Sequence, residues 1–420
     1  MLQTYLKQER SWMLYDLANS AFSIIVSTAI FPIYFKSVAE SAGVSSVDGT
    51  AYYGYAVSLA TFILALLGPV LGTIADYKGM KKKFFVFFFA LGVLGTASLA
   101  LPFASWVLLA VFYVIATVGS SGANIFYNSF LTDVTEEKRF DEVSAKGFAV
   151  GYIGSVIPFV AAIAVIFLTQ AGIIPLSVGA ASQIAFLITA LWWGLFTIPF
   201  LKNVKQVYYV EREGQIILGS FKRLWQTFKD IRQYRNILIF LIAYFFYIDG
   251  VGTIINMSTA YGTDVGLDAT GLLVALLVVQ IVAAPFAVLF GKLARKFGRK
   301  NMLYVAILVY TFVCIFALFL DTLIEFWFLA LMVGTVQGGI QAISRSFYAS
   351  MVPKDKSNEF FGFYNIFGKF ASVLGPFLLA VTTQLTGSST YGVFSIIILF
   401  IIGFVVLLFV KEEKTEEATS

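Results

Sequence analysis

The sequence lacks histidine altogether and has a single cysteine, Cys314, among its 420 residues. Histidine is the most common metal ligand and the usual side chain for proton transfer near neutral pH. Any proton chemistry in this chain must therefore use Asp or Glu. One cysteine cannot form a disulfide within the chain, and a lone thiol inside an apolar run is typical of packing. The sequence predicts neither a metal site nor a cofactor.

Charged residues are also scarce, at 13% of the chain, whereas soluble domains carry about 25%. Apolar residues make up 59% of the sequence, 44 residues are Phe, and the mean hydropathy is +0.86. This composition excludes a water-soluble core. The charge that is present is confined to short intervals, which is the pattern of many membrane spans joined by short loops.

Apolar runs long enough to cross a bilayer, which takes about 20 residues, occur twelve times. They form two groups of six, separated by a polar interval, and the connections between spans 3 and 4 and between spans 9 and 10 are short. The predicted spans lie near 12–36, 51–75, 84–103, 105–131, 147–170, 181–201, 236–260, 269–291, 302–321, 324–349, 360–385 and 390–410.

The basic residues predict the orientation of these spans. With both termini in the cytoplasm, all but three of the 29 Lys and Arg residues fall in cytoplasmic segments; the exceptions are Lys36, Arg345 and Lys369. Cytoplasmic loops carry an excess of Lys and Arg, so both termini are predicted to be cytoplasmic. The net charge of +5 is assigned to these flanking residues, and nucleic acid is not an expected partner.

One charged loop occurs twice. Gly72 to Lys83 reads GTIADYKGMKKK, and Gly291 to Asn301 reads GKLARKFGRKN, 219 positions later. A similar offset relates Pro158 to Pro376, each followed by Phe. The loop resembles the one between helices 2 and 3 of the major facilitator superfamily, with its second copy between helices 8 and 9. That resemblance implies two parallel halves with the substrate between them near mid-depth.

The predicted fold is thus an all-α membrane protein, with twelve transmembrane helices in two pseudo-symmetric six-helix bundles. The N-terminal bundle is predicted at 1–201 and the C-terminal bundle at 236–410. A cytoplasmic linker at 202–235 contains apolar residues at helical spacing from Gly214 to Tyr234, which predicts an amphipathic helix on the membrane surface. A disordered tail is predicted at 411–420.

The repeated loop is predicted to act as a conformational gate. Asp76 can accept hydrogen bonds from a helix N-terminus or pair with a base, and Gly72 and Gly79 allow a tight turn. In the second copy, Arg295 stands where the first has its acid, ahead of Gly298. The second gate must therefore use different chemistry.

Polar residues inside the spans are the candidates for binding substrate or a proton, because a charge at mid-membrane costs about 2.5–3.5 kcal/mol. The polar stripes fall on spans 1, 4, 7 and 10, which line the central cavity in the superfamily, and Lys369 lies in span 11. The alternative for each charge is a structural ion pair. The predicted set is Asp249, Lys369, Arg345, Gln341, Asn256, Asn365, Asn124, Asn128 and Asp16.

A closer resemblance comes from WMLYDLANSAFSIIVSTAIFPIYF, IFYNSFLTDV, YIDGVGTI and the block from Ser344 to Pro376. These stretches resemble the branch that includes the fungal vacuolar amino-acid effluxers linked to autophagy and their bacterial relatives. The resemblance implies efflux of small amino-acid-like solutes. A zwitterion needs an anion for its ammonium group and a cation for its carboxylate. Asp249 with Lys369 or Arg345 could supply both.

The sequence thus predicts a secondary active transporter that moves a small solute by alternating access, with proton coupling left open. The alternatives are an exporter of an amphipathic cargo such as a lysolipid or drug, and a transport-dead sensor with the same fold. An enzyme is not expected, because no catalytic constellation or phosphate-binding Gly-Lys loop is present. The expected partners are the solute and membrane lipids, and the expected state is a monomer in a bacterial plasma membrane.

Overall fold

The computed structural model describes residues 2–44, 46–102, 105–211, 234–264, 267, 269–386 and 389–412. The predicted amphipathic helix lies outside the described residues except for Tyr234, and so does most of the predicted tail. Within the described helices, the side chains of Asn256 and Lys369 also lie outside the description.

A helix occupies each of the twelve predicted spans, because a backbone in lipid must satisfy its own hydrogen bonds and a helix does so within one segment. Span 1 is interrupted, and span 4 continues into a short turn at Leu131–Val134. The other helices are Ser46–Ala75, Met80–Ser98, Trp106–Ser129, Phe140–Gln170, Val178–Asn203, Arg235–Asp264, Ala269–Phe297, Arg299–Ala317, Leu323–Met351, Ser357–Thr386 and Ser389–Leu408.

Among the described residues, eight of these helices are long and apolar enough to cross a membrane, and the interrupted first span gives a ninth. The three other long helices lie at the predicted positions of spans 2, 3 and 11. The protein is an all-α, multi-pass integral membrane protein, as the apolar runs predicted.

Span 1 is broken near its middle. An α-helix at Leu2–Ala21 continues as a π-helical stretch at Phe22–Ala29, and the next residue, Ile30, donates its backbone N–H to Ile25 O at 2.9 Å. A second α-helix at Phe31–Ser41 follows, bent by 42°. Pro32 has no N–H to donate to the preceding turn, which accounts for a break at this position.

The chain forms two compact units. The first contains Met1–Val134, Val150–Leu224 and Lys354–Phe363, and the second contains the rest. The units follow the predicted halves except at two short segments. The start of span 11, Lys354–Phe363, groups with the first half of the sequence, and Thr135–Ala149 at the start of span 5 groups with the second half. Both segments begin a helix next to a copy of the repeated loop.

Small residues let the helices of each unit approach closely. In the first unit, a Cβ on Gly95 of span 3 would lie 2.8 Å from the backbone N of Ala116 in span 4. In the second, a Cβ on Gly250 of span 7 would lie 2.7 Å from the ring of Phe400 in span 12. Membrane helices gain packing energy where small residues bring their backbones together. Each unit is thus held by its own helix contacts.

Candidate functional site

The first copy of the repeated loop holds the N-terminus of span 11. Asp76 is 1% exposed, and its carboxylate accepts hydrogen bonds from Asn358 N at 3.0 Å, Asn358 Nδ2 at 2.7 Å and Glu359 N at 3.3 Å. The first N–H groups of a helix have no partner within the helix and attract negative charge. The helix terminus, one of the two partners that the sequence offered for Asp76, contacts its carboxylate in the structure.

The two glycines of this loop have separate tasks. A Cβ on Gly72 would lie 2.6 Å from the backbone O of Asn358, so Gly72 lets span 2 touch the backbone at the start of span 11. Gly79 has a φ of 74° just before span 3, a left-handed conformation that favours glycine. Gly72 serves the contact, and Gly79 serves the turn.

A buried ion pair lies beside Asp76. Lys81 Nζ donates to Asp133 Oδ2 at 2.6 Å and to Ser357 Oγ at 3.0 Å, and both charged side chains are 0% exposed. The other oxygen of Asp133 accepts from the backbone N–H of Val207 at 2.7 Å and of Tyr208 at 2.9 Å. These contacts offset the desolvation of both charges.

We call this group the span 11 clamp. It consists of Gly72, Asp76, Lys81, Ser129, Asp133, Ser357, Asn358 and Glu359, and Ser129 Oγ donates to Asn358 Oδ1. Of these residues, only Gly72 and Asp76 were predicted to be part of a gate, and Lys81 was assigned to the basic residues that set the orientation. The sequence does contain a signal for Asp133. It is an acidic residue directly after an apolar span, in a chain with few acidic residues.

The second copy of the loop holds the N-terminus of span 5 with the opposite charge arrangement. Arg299 Nε donates to both oxygens of Asp141, at 2.8 and 2.9 Å. Ser346 of span 10 also donates to Asp141, at 2.5 Å. A Cβ on Gly291 would lie 2.9 Å from Asp141 O. Here the base lies on the loop side and the acid lies on the helix. We call Gly291, Arg299, Asp141, Ser346, Ser144 and Arg345 the span 5 clamp.

Arg345, a predicted solute ligand, takes part in this clamp. Its side chain is buried; Nε donates to Ser144 Oγ at 2.8 Å and Nη2 donates to Ser144 O at 2.9 Å. The guanidinium lies 4.2 Å from the ring centre of Phe148, a cation–π distance. The structure thus places Arg345 in helix packing against span 5 through a hydroxyl, a backbone carbonyl and an aromatic ring, and its part in binding a solute stays a prediction.

The two other predicted gate residues of the second loop lie at its edge. Arg295 Nη1 is 3.3 Å from Glu142 Oε2, with 44% of the arginine side chain exposed, so this is a surface pair of small energetic value. Gly298 has a φ of 89°, and the next residue, Arg299, donates its backbone N–H to Glu412 Oε1 at 2.8 Å. Gly298 therefore allows the turn into span 9.

Asp249 lies inside the second unit, between spans 7 and 11. It is 0% exposed, and Oδ1 accepts from the backbone N of Gly375 at 2.9 Å. Among the described residues, its Oδ2 has no hydrogen-bond partner. A Cβ on Gly375 would collide with Thr253 Oγ1 and lie 2.8 Å from Asp249 Oδ1. The carboxyl group is enclosed by helix packing, and its part in binding a solute or proton stays a prediction.

A polar cluster joins spans 1 and 4 in the first unit. Asn19 Nδ2 donates to Asn124 Oδ1 at 3.0 Å, and Ser120 Oγ donates to Asn19 Oδ1 at 3.1 Å. Asp16 and Asn128 are half-buried on the same two helices. The predicted set contains Asn124 and omits its partner Asn19 in span 1.

The predicted binding residues are divided between the units. Asp16, Asn124 and Asn128 belong to the first unit. Gln341 and Asn365 are half-buried in the second unit with Asp249 and Arg345, and Gln341 Nε2 donates to Gln337 O at 3.3 Å. The predicted set does not form one cluster within either unit.

The duplicated loops and the long helices of the described residues define the major facilitator fold. The chain resembles the solved human organic anion transporter MFSD10 (TETRAN), with a TM-score of 0.74, 14% identity, and coverage of 96% of this chain and 99% of that one. It also resembles the proton:xylose symporter XylE, with a TM-score of 0.73, 12% identity and coverage of 98% and 96%. At such identities the likeness shows the fold alone.

The chain belongs to the family described as vacuole effluxer Atg22 like, whose model matches residues 6–138 and 132–420. A Bacillus subtilis (strain 168) protein with the name "Uncharacterized MFS-type transporter YxiO" is 60% identical over 100% of this chain and 98% of its own length. Autophagy-related protein 22 of Kluyveromyces lactis is 25% identical over 85% of this chain and 78% of its own. The resemblance to this branch is confirmed.

Proposed function

We propose that the protein is a secondary active transporter that exports a small zwitterion, an amino acid or a similar solute, by alternating access. The family description, vacuole effluxer Atg22 like, supports efflux, and the name of the Bacillus relative supports transport. That bacterial relative and the distribution of Lys and Arg support a bacterial plasma membrane with both termini in the cytoplasm. The observation that carries the proposal is the span 11 clamp.

The clamp suits a switch because it consists of polar contacts that water can replace. The Lys81–Asp133 pair and the Asp76 carboxylate, all buried, fix a helix from the second half of the sequence to a loop of the first. When the contact opens, hydration of these charges offsets the lost hydrogen bonds. Two states of similar free energy are what a rocking transporter requires.

Asp249 is proposed to carry a coupling proton. Its Oδ1 is held by Gly375 N at 2.9 Å, and no ion pair of the described residues joins it to a cation. A proton on Oδ2 makes the enclosed group neutral, and a carboxyl group buried in helix packing needs such compensation. Proton release would then require spans 7 and 11 to separate at Gly375.

The carboxylate of the solute is assigned to Lys369. Of the two cations that the sequence offered, Arg345 already donates to Ser144 at 2.8 and 2.9 Å. Lys369 lies in span 11, six residues before Gly375. The proposal for Lys369 rests on its place in the sequence.

Counterflow in proteoliposomes tests this function. Vesicles with the reconstituted full chain are loaded with unlabelled amino acids, and accumulation of labelled amino acids is compared with that in protein-free vesicles. Accumulation is expected for at least one zwitterion, with strong loss in Asp249→Asn and Lys369→Gln. Arg295→Gln, which removes only a surface pair, is the control. Absence of counterflow for every amino acid, or normal rates in both variants, would overturn the proposal.

The same vesicles separate the alternatives. Counterflow of a lysolipid without counterflow of amino acids would indicate an amphipathic cargo. Saturable amino-acid binding without counterflow would indicate a sensor that keeps the fold and lacks transport.

A further inference from the structure

A cavity lies inside the second unit, away from both clamps and among spans 7, 8, 9, 10 and 12. Its volume is about 100 Å³, of the same order as an engineered apolar cavity of ~150 Å³ that binds benzene. The described lining is mainly aliphatic and includes Val279, Cys314, Ala330, Val333 and Val393. None of the described lining residues is charged.

Two glutamine side chains interrupt this apolar lining. Gln337 of span 10 is 5% exposed and lines the cavity, as does the half-buried Gln280 of span 8. In the described part of the chain, neither side-chain amide has a hydrogen-bond partner. Gln337 does accept a hydrogen bond from Gln341, but with its backbone O. An amide enclosed in an apolar bundle is unfavourable without a partner. A ligand with one polar group would supply that partner.

We propose that this cavity binds an uncharged, mainly apolar molecule with one carbonyl or hydroxyl group and a short alkyl chain, such as hexanol or hexanamide. The aliphatic walls take the alkyl chain, and Gln337 and Gln280 take the polar group. A zwitterion would lose its hydration there without a countercharge. The ligand class therefore differs from that of the proposed transport substrate, and the proposal is independent of the transport assignment.

The cavity also touches the surroundings of Asp249. Thr253 lines it, and the Thr253 hydroxyl donates to the backbone O of Asp249 at 2.8 Å. The same hydroxyl oxygen lies where a Cβ on Gly375 would be. A bound molecule would thus pack one residue away from the contact between spans 7 and 11.

Photolabelling of the full chain in lipid nanodiscs tests the proposal. The probe is hexanol with a diazirine on its alkyl chain, and the labelled residues are mapped by mass spectrometry. Labels are expected to concentrate on peptides that contain cavity residues. Val333→Trp fills the cavity and is expected to lower this labelling by roughly tenfold, since added core volume displaces a ligand. Leu331→Trp, on the 42% exposed face of the same helix, is the matched control and should label like the parent.

Ala330→Phe is a second filling variant, for the case in which the Val333 variant does not fold. Competition with unlabelled hexanol and with hexanamide separates a hydroxyl ligand from a carbonyl ligand; either competitor alone supports the cavity. Labelling that spreads evenly over the lipid-facing helices and is unchanged by a folded filling variant overturns the proposal. So does failure of both competitors.

Discussion

The two clamps share their scaffold and differ in their charges. Gly72 and Gly291 both lie against the backbone O of a residue at the start of a helix, Asn358 in one unit and Asp141 in the other. Ser129 and Ser346, 217 positions apart, both donate to those same two residues. The duplication thus preserves the positions at which helices touch, because backbone contact tolerates little change in size.

The charges are arranged in opposite senses. In the span 11 clamp the acid lies on the loop, and the helix offers its N–H groups to Asp76. In the span 5 clamp the helix offers an acid, Asp141, to the base Arg299. The first clamp is also drier: Lys81 and Asp133 are 0% exposed, against 10% and 5% for Arg299 and Asp141. A substitution that breaks the ion pair of the span 11 clamp should therefore destabilise the protein more than one that breaks the ion pair of the span 5 clamp.

The largest expected effect comes from Asp133→Ala, which leaves Lys81 buried without its partner. Removal of one member of a buried pair costs about 3–5 kcal/mol, so thermal unfolding in detergent should show a large loss of stability. Glu211→Gln is the control, because its pair with Lys78 is 75% and 62% exposed. Equal stability of the two variants would contradict the assignment of the Lys81 pair.

The second prediction compares the stability that each of the two clamps contributes. Asp76→Asn keeps the shape and removes the charge that receives the helix N–H groups, a change worth about 1.5–3 kcal/mol. Arg299→Gln breaks the other buried ion pair, whose side chains are 10% and 5% exposed, and it should lose less stability than Asp133→Ala in the same denaturation assay. The reverse order would show that burial does not rank the two clamps.

Gly72→Ala places a Cβ 2.6 Å from Asn358 O, and overpacking costs about 1–3 kcal/mol. Because the clash lies inside the clamp, transport should fall more than stability does. Gly194→Ala is matched to it, since its Cβ would meet only a Val93 methyl at 4.0 Å. Transport rates and thermal unfolding curves are measured for both variants. Equal transport rates in Gly72→Ala and Gly194→Ala would show that Gly72 is not part of the gate.

The smallest effect is expected for Arg295→Gln. Its pair with Glu142 is 44% exposed on the arginine side, and surface pairs contribute about 0–1 kcal/mol. Counterflow and stability should both stay near the parent values at physiological salt. A loss of counterflow or stability as large as that of Arg299→Gln would show that Arg295 is part of the second gate.

The fold could be predicted from the sequence because lipid leaves few solutions to a chain with twelve apolar runs. The chemistry of the clamps could be predicted only in part. Asp76 stood out as an acid in a repeated loop, whereas Arg299 looked like the other orientation signals. The positive-inside count assumes that every basic residue is solvated, whereas the Lys81 side chain is fully buried. Only the packing of distant helices distinguishes them.

The buried polar residues show the same limit. The position of a residue along a span predicts its depth in the membrane. It does not predict which helix its side chain contacts. Arg345 was predicted to bind solute and donates to Ser144 of span 5. Asp249 meets the backbone of Gly375, a contact that depends on the register of spans 7 and 11 and leaves no mark in the sequence of span 7.

Cross-linking of the span 11 clamp tests most directly whether its opening is part of transport. In a Cys314→Ser background, Tyr208→Cys and Lys354→Cys replace a cation–π pair 5.2 Å apart at the edge of the clamp, and a short bismaleimide joins them. Each single-cysteine variant with the same reagent is the control. Counterflow is predicted to stop only in the cross-linked double variant. Full counterflow with the cross-link in place would contradict the account.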